Sequence, residues 1–311
     1  MRASAPTDFW LRHFLRHSLI VLALGLLLLG RGAVAGGEMP YGEGLLWKLE
    51  RGAVAPSYLF GTIHITDERV LRLPAEVART FDGARSATFE VIMTDELRLR
   101  LSKAMIASPD RTLDRVLGPD LYRDAMAAGA SYGFPPEHLK FFKPWALAMF
   151  LSVPKAEFAR SAMGALPLDQ ALQERAGDQG KPIYQLESGA EQIALFNELT
   201  EADQLSMLES AIKDNARIEA LFEELTSRYL ARDVGGIHSE MIQQSQSMDE
   251  QLVKMFLLRF NEERNRTMVA RMAPRLGEGG AFIAIGALHL PGETGLLSLL
   301  AAQGYEITRV Y

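Results

Sequence analysis

Three short runs of apolar and β-branched residues constrain this chain more than any other feature. Ser57–Ile65 and Ser86–Met93 lie near its start and Gly280–Ala287 near its end. Bounded by polar turns, they read as buried strands, and the last is too short to span a membrane. Between the first two, Pro74–Phe81 puts Val77, Ala78 and Phe81 on one helical face. That makes a strand–helix–strand unit, the grammar of a parallel sheet. The fold class that follows is α/β: a central, mostly parallel sheet formed by N- and C-terminal strands, with a large helical middle section.

From about Asp95 to Met272 the pattern is mostly helical. Pro135-Pro136, Pro144 and the stretch from Gly177 to Pro182 interrupt it, and Ile183–Leu186 reads as a further short strand. Leu195, Leu199, Leu205, Leu208 and Ile212 keep helical register over Glu191–Lys213, which predicts one helix there. Two more helices are predicted over Ala216–Leu230 and Met248–Met272. Turns are expected at Val234-Gly235-Gly236 and Gln243–Gln246 between them. A helix over Thr294–Gln303 and a strand over Tyr305–Val310 close the chain.

The first 35 residues stand apart. Arg2, Arg12 and Arg16 precede an apolar run, Leu19–Leu29, and an Ala33-Val34-Ala35 site. This is the composition of a secretory signal peptide; an uncleaved anchor would need about 20 apolar residues. The expectation is a periplasmic or secreted protein with no stable membrane span after processing, and one α/β domain over residues 36–311. Residues 1–35 hold four Arg and one Asp, so removing them takes Lys+Arg from 33 to 29 and Asp+Glu from 39 to 38, a balance of −9. That charge argues against a nucleic-acid partner. The chain has no cysteine, which excludes a lipoprotein anchor, disulfides and thiolate ligands. A metal here must be held by His, Asp, Glu and water.

Four histidines remain beyond residue 35. His138, at a helix start, and His238, after a Gly-Gly turn, read as surface residues. His64 and His289 share a setting: each closes an apolar strand three residues after a glycine, in Gly61-Thr-Ile-His64 and Gly286-Ala-Leu-His289. In parallel α/β sheets ligands bind at the carboxyl ends of the strands, so the two can converge on one crevice. Glu90, flanked by Phe89 and Val91 in the second strand, needs a metal or an arginine as partner if buried. Two His and one Glu suit Zn²⁺, Mn²⁺ or Fe²⁺. By spacing alone a histidine bonded to a backbone carbonyl and a Glu90–arginine pair serve as well.

Phe60-Gly-Thr-Ile-His64, Leu73-Pro74, Phe89-Glu90 and Gly286-Ala-Leu-His289-Leu-Pro-Gly292 resemble the TraB/PrgY/GumN family, to which the animal Tiki proteins belong. So do Lys143-Pro-Trp145, Leu168-Asp169, Leu186-Glu187 with Gln192, and Arg264-Asn265; together these span roughly Leu45 to Val310. The resemblance implies a fold shared with ChaN-like and erythromycin-esterase-like proteins and a divalent-metal-dependent hydrolase or peptidase. It places metal ligands at His64, Glu90 and His289 and the Arg-Asn pair at Arg264 and Asn265. An aromatic that members often show after that pair is not present at Thr267-Met268. Glu187 is a candidate general base, a further ligand, or a carboxylate favoured by a helix N-terminus. Arg264 is a candidate for stabilising an oxyanion or for holding Glu90. Two alternatives remain: a metal-free His/Glu esterase-type hydrolase, and a periplasmic binding protein for haem, metal or peptide.

N-terminal sequencing of the exported protein should find Gly36 first. An intact Met1–Ala35 segment in the membrane fraction would refute cleavage.

Overall fold

A computed structural model describes residues 39–244, 253–254 and 257–311. The expected signal peptide therefore lies outside the described residues. Among those described, no helix is long and apolar enough to cross a membrane. They form two compact units, one of Met93–Ala165 and Ala190–Phe222, the other of residues 39–92, Leu166–Gly189 and Glu223–Tyr311.

The second unit carries a six-stranded sheet. In chain order its strands are β1 (Leu46–Glu50), β2 (Ser57–Thr62), β3 (Ser86–Phe89), β4 (Ile183–Gln185), β5 (Ala281–Gly286) and β6 (Glu306–Arg309). Their order across the sheet is β4-β3-β5-β2-β1-β6. The pairs β3–β4, β3–β5 and β2–β5 are parallel, while β1 runs antiparallel to β2 and β6. The mostly parallel sheet is thus as expected, and the three runs predicted to be buried are its central neighbours. The N- and C-terminal strands meet directly, with Gly61 opposite Ile285.

Both faces of this sheet are covered, which explains why its strands read as continuous apolar runs. On one face Leu59, Ile283 and Ile285 pack with Met268, Val269, Met272 and Leu276 and with Leu296, Leu297 and Leu300. The first four lie at helical spacing in Glu263–Glu278 and the last three in Leu296–Ala302. Phe282 alternates with Ile283, and its ring meets Phe81 at 5.1 Å and Phe60 at 5.8 Å.

The first unit is helical. All eight residues of Pro144–Leu151 are buried, which requires neighbours on every side. Trp145 stacks on Phe196 at 5.0 Å, and Phe142, Phe150 and Phe158 join Phe134 in a ring cluster.

Four expectations are corrected. β2 and β3 end at Thr62 and Phe89, so His64 and Glu90 lie beyond strands rather than within them. The single helix expected over Glu191–Lys213 is two, Gly189–Asn197 and Glu201–Asp214. Thr200 starts the second with a reciprocal cap to Asp203, which satisfies backbone N–H groups a continuous helix would not leave free. The helix expected over Met248–Met272 lies partly outside the described residues. Besides the helical Val253 and Lys254, its described part is a π-helical segment, Leu257–Glu262, running into Glu263–Glu278, where Gly279 at φ 70° ends it. Finally, the turn expected at Val234-Gly235-Gly236 is instead the start of a helix, Val234–Gln244; β1, which the sequence did not mark, takes its place from pairing with β2 and β6.

The Tyr229 hydroxyl, buried, donates to the Gly61 carbonyl at 2.8 Å and so pins the end of β2 just before His64. Tyr229→Phe should cost about 1 kcal/mol in urea unfolding, the usual net value of one such bond. No change at all would show that Gly61 needs no anchor there.

Candidate functional site

All six residues singled out in the sequence lie in the sheet-containing unit, and hydrogen bonds link most of them. His64 follows β2, Glu90 follows β3, Glu187 follows β4 and His289 follows β5, so four parallel strand ends supply one side chain each. Arg264 and Asn265 come from the first turn of Glu263–Glu278. The loop carrying Glu90 is tied down along its length. The Glu90 carbonyl accepts from Leu186 and Glu187 N–H groups, Val91 from the Gln173 amide, and Ile92 N–H donates to Gln185.

Arg264 holds the acidic half together. Its Nε and Nη2 donate to the two Glu187 oxygens at 2.8 and 2.6 Å, and Nη2 also donates to Glu90 Oε2 at 3.0 Å. Nη1 donates to the Phe260 carbonyl in the π-helical segment. Four of its five N–H groups are therefore committed, which makes Arg264 a holder of carboxylates rather than a free oxyanion donor. Glu187 is likewise a bidentate ion-pair partner of Arg264. Burial works against charge on Glu90, yet Arg264, the two histidines and the Gly286 N–H, 2.6 Å from Oε1, bring its pKa down to about 2. Burial also opposes charge on Arg264, but Glu187 and Glu90 outweigh it and its pKa is raised.

The two histidines differ more than their sequence settings suggest. His64 Nδ1 lies 2.8 Å from Asp169 Oδ1, a charge pairing that favours hydrogen on Nδ1. Burial lowers its pKa, but the charge and hydrogen bond of Asp169, with Glu90, overcome this and the net shift is upward. His289 instead pairs through Nδ1 with the neutral Asn265 amide at 2.6 Å. Burial first, then Arg264, depress its pKa to about 3, so the ring is neutral near pH 7. Its 3.9 Å approach to Glu90 Oε1 is for that reason not an ion pair. Nε2 is buried with no hydrogen-bond partner.

Gly286 is where these groups meet. A Cβ there would lie 3.1 Å from Glu90 Oε1, 3.7 Å from His289 Cδ2 and 3.8 Å from His64 Nε2. Gly61 is needed for a second reason, since a Cβ there would sit 3.1 Å from the backbone of Ala287, just beyond the end of β5. Among the described residues no group of three or more His, Cys, Asp and Glu side chains is arranged to hold a metal ion. The donor chemistry nonetheless suits a divalent ion. His289 Nε2 and Glu90 Oε1 are two electron-pair donors facing each other in a buried setting, and His64 offers a third. Of the three carboxyl groups in the cluster, Glu90 and Glu187 face Arg264 and Asp169 faces His64.

Asp169, of the Leu168-Asp169 pair, joins the site through His64, a role its sequence position does not mark. It sits in the first turn of Leu168–Asp178, a position that reads as a favourable helix-terminus acid. His138 and His238 are each partly buried rather than on the surface, and burial lowers the His238 pKa.

The sequence model of the TraB/PrgY/gumN family matches residues 45–309. Among curated proteins, the chain is 25% identical to Metalloprotease TIKI2 of Danio rerio over 84% of its length and 60% of that protein's. For Metalloprotease TIKI1 of Danio rerio the values are 24%, 84% and 62%, and for Metalloprotease TIKI2 of Xenopus tropicalis 25%, 84% and 59%. The chain thus spans about 60% of the length of the curated relatives it matches. No solved structure matches it.

Two predictions follow from the charges. Arg264→Met strands Glu90 and Glu187 together and should cost about 3–5 kcal/mol in denaturant unfolding. Glu90→Gln leaves Arg264 its bidentate partner and should cost no more than about 1.5–3 kcal/mol; equal costs would make Glu90 the main partner. Depressed values at His289 and Glu90 both mean stability lost on acidification. For His289 the loss runs from its ordinary 6.5 down to about 3, and for Glu90 from 4.5 to about 2. Melting curves of chelator-treated His289→Gln should lack the first part of that decline.

Proposed function

The chain belongs to the TraB/PrgY/gumN family, and on that premise we propose that it is an exported metal-dependent hydrolase acting on peptide bonds. His64, Glu90 and His289 hold the metal, Mn, Fe or Zn, and the protein works in the periplasm or outside the cell. The observation that carries this reading is the buried Nε2 of His289, unpartnered and facing Glu90 Oε1 at 3.9 Å. Two donors at that separation are within reach of one ion with bonds of about 2.0–2.2 Å. The relatives are named metalloproteases, which supplies the peptide bond as substrate class.

Bound there, a divalent ion supplies Lewis acidity, polarising a carbonyl and acidifying water. The protein's own groups do the rest. Asp169 and Asn265 hold the two imidazoles with their Nε2 lone pairs inward, the arrangement that orients ligating histidines. Arg264 holds Glu90 in its ionised form while leaving Oε1 towards the histidines. Glu187 fixes Arg264 in turn, so its role is to position rather than to take a proton. Gly286 keeps the space between His64, Glu90 and His289 clear.

One observation favours a second reading. The Asp169 carboxylate behind His64 is the pairing that a general base needs, so a metal-free hydrolase would use His64 to deprotonate water.

Elemental analysis and metal-stimulated peptide hydrolysis separate the two. His64→Ala, His289→Ala and Glu90→Gln should lose metal and nearly all activity together. Gly286→Ala should do the same by filling the space, and His138→Ala should change neither. Full metal occupancy and activity in either histidine variant would sink the metal reading. Activity in wild-type protein that survives chelation but not His64→Ala favours the metal-free mechanism, and a Soret band on the purified protein favours haem binding.

A further inference from the structure

Behind His289 runs a chain of hydrogen bonds whose direction is fixed from both ends. The Leu288 carbonyl can only accept, so Asn261 meets it with Nδ2, at 3.1 Å. That leaves Asn261 Oδ1 facing residue 265, where it accepts from Asn265 Nδ2 at 2.8 Å. The Thr294 carbonyl also accepts from Asn265 Nδ2, at 2.9 Å. With Nδ2 spent on two acceptors, Asn265 turns Oδ1 to His289 Nδ1 at 2.6 Å. Asn265 is fully buried, so no water stands ready to repair a reversed amide. Reversing Asn261 would set its oxygen against the Leu288 carbonyl and its N–H groups against those of Asn265, at the cost of two part-buried bonds.

We propose that Asn261 is a positioning residue which, through Asn265, locks His289 in the tautomer with hydrogen on Nδ1 and a bare Nε2. The relay begins on the carbonyl of Leu288 and ends on the ring of the next residue, so tautomer and ring orientation are set by one closed loop of bonds. Asn261 can reach both partners because it lies in the π-helical segment Leu257–Glu262, one turn before Asn265. The lock rests on the metallohydrolase reading only for the use made of the Nε2 lone pair; the tautomer itself does not depend on it.

Ring ¹⁵N spectra of the chelator-treated full-length protein near pH 7 test the lock without reference to activity. His289 should show hydrogen on Nδ1 alone. In Asn261→Leu an Nε2–H population should appear, and Zn²⁺ affinity, read by competition with a chromophoric chelator, should fall by about tenfold to a hundredfold. Asn261→Asp keeps the acceptor for Asn265 but loses the donor to Leu288, so it should stand between; it serves also if Asn261→Leu does not fold. Wild-type protein with hydrogen on Nε2, or both variants with an unchanged His289 signal, would overturn the proposal. Wild-type protein that binds no Zn²⁺ while the tautomer shifts as expected would remove the metal reading and leave the lock standing.

Discussion

The site depends on one guanidinium. Arg264 reaches the ends of two strands, β3 through Glu90 and β4 through Glu187, and ties both to the helix that covers one face of the sheet. A buried carboxylate without such a partner would take up a proton or drive the strands apart. With it, and with the two histidines and the Gly286 N–H acting in the same direction, Glu90 stays ionised. The same bonds fix the backbone, because Glu187 also donates its N–H to the Glu90 carbonyl. Packing of Met268, Met272 and Leu276 on the sheet sets where that helix lies, and Arg264 turns that placement into chemistry.

Around this anchor the protein builds two unlike imidazoles from like sequence. Gly61-Thr-Ile-His64 and Gly286-Ala-Leu-His289 have the same spacing and the same relation to a strand end. Their Nδ1 partners differ by one charge: a carboxylate for His64 and an amide for His289. His289 is also the more deeply buried, at 1% exposure. The result is one ring pushed towards protonation and one held neutral. A pair of this kind can share a cation or divide proton-handling between them. Which of these the protein uses is decided by whether an ion sits between them.

The glycines before the two histidines follow from the sheet. β2 and β5 are adjacent and parallel, and the chain beyond them turns at the same level, so backbone and side chains crowd there. Gly61 gives room to Ala287, while Gly286 gives room to the functional groups themselves. One is a packing requirement and the other a requirement of the site, though the two look identical in sequence.

The sequence by itself determined the sheet's core and the identity of the residues on its rim. Continuous apolar runs at 57–65, 86–93 and 280–287 specify strands buried on both faces, and their order forces the two ends of the chain together. Glycine spacing and an acid among Phe89 and Val91 pointed to His64, His289 and Glu90, and the family's motif carried Glu187, Arg264 and Asn265. What only the tertiary structure decided is who pairs with whom. Arg264 could have served an oxyanion or a carboxylate, and its commitment to Glu90 and Glu187 depends on a helix docking that no local pattern encodes. No local pattern marks Asp169 or Asn261 as part of the site, because their partners lie 105 positions from Asp169 and 27 from Asn261. Hydrogen bonds of that kind are set by distance in space, whereas periodicity and propensity report only on neighbours in the chain.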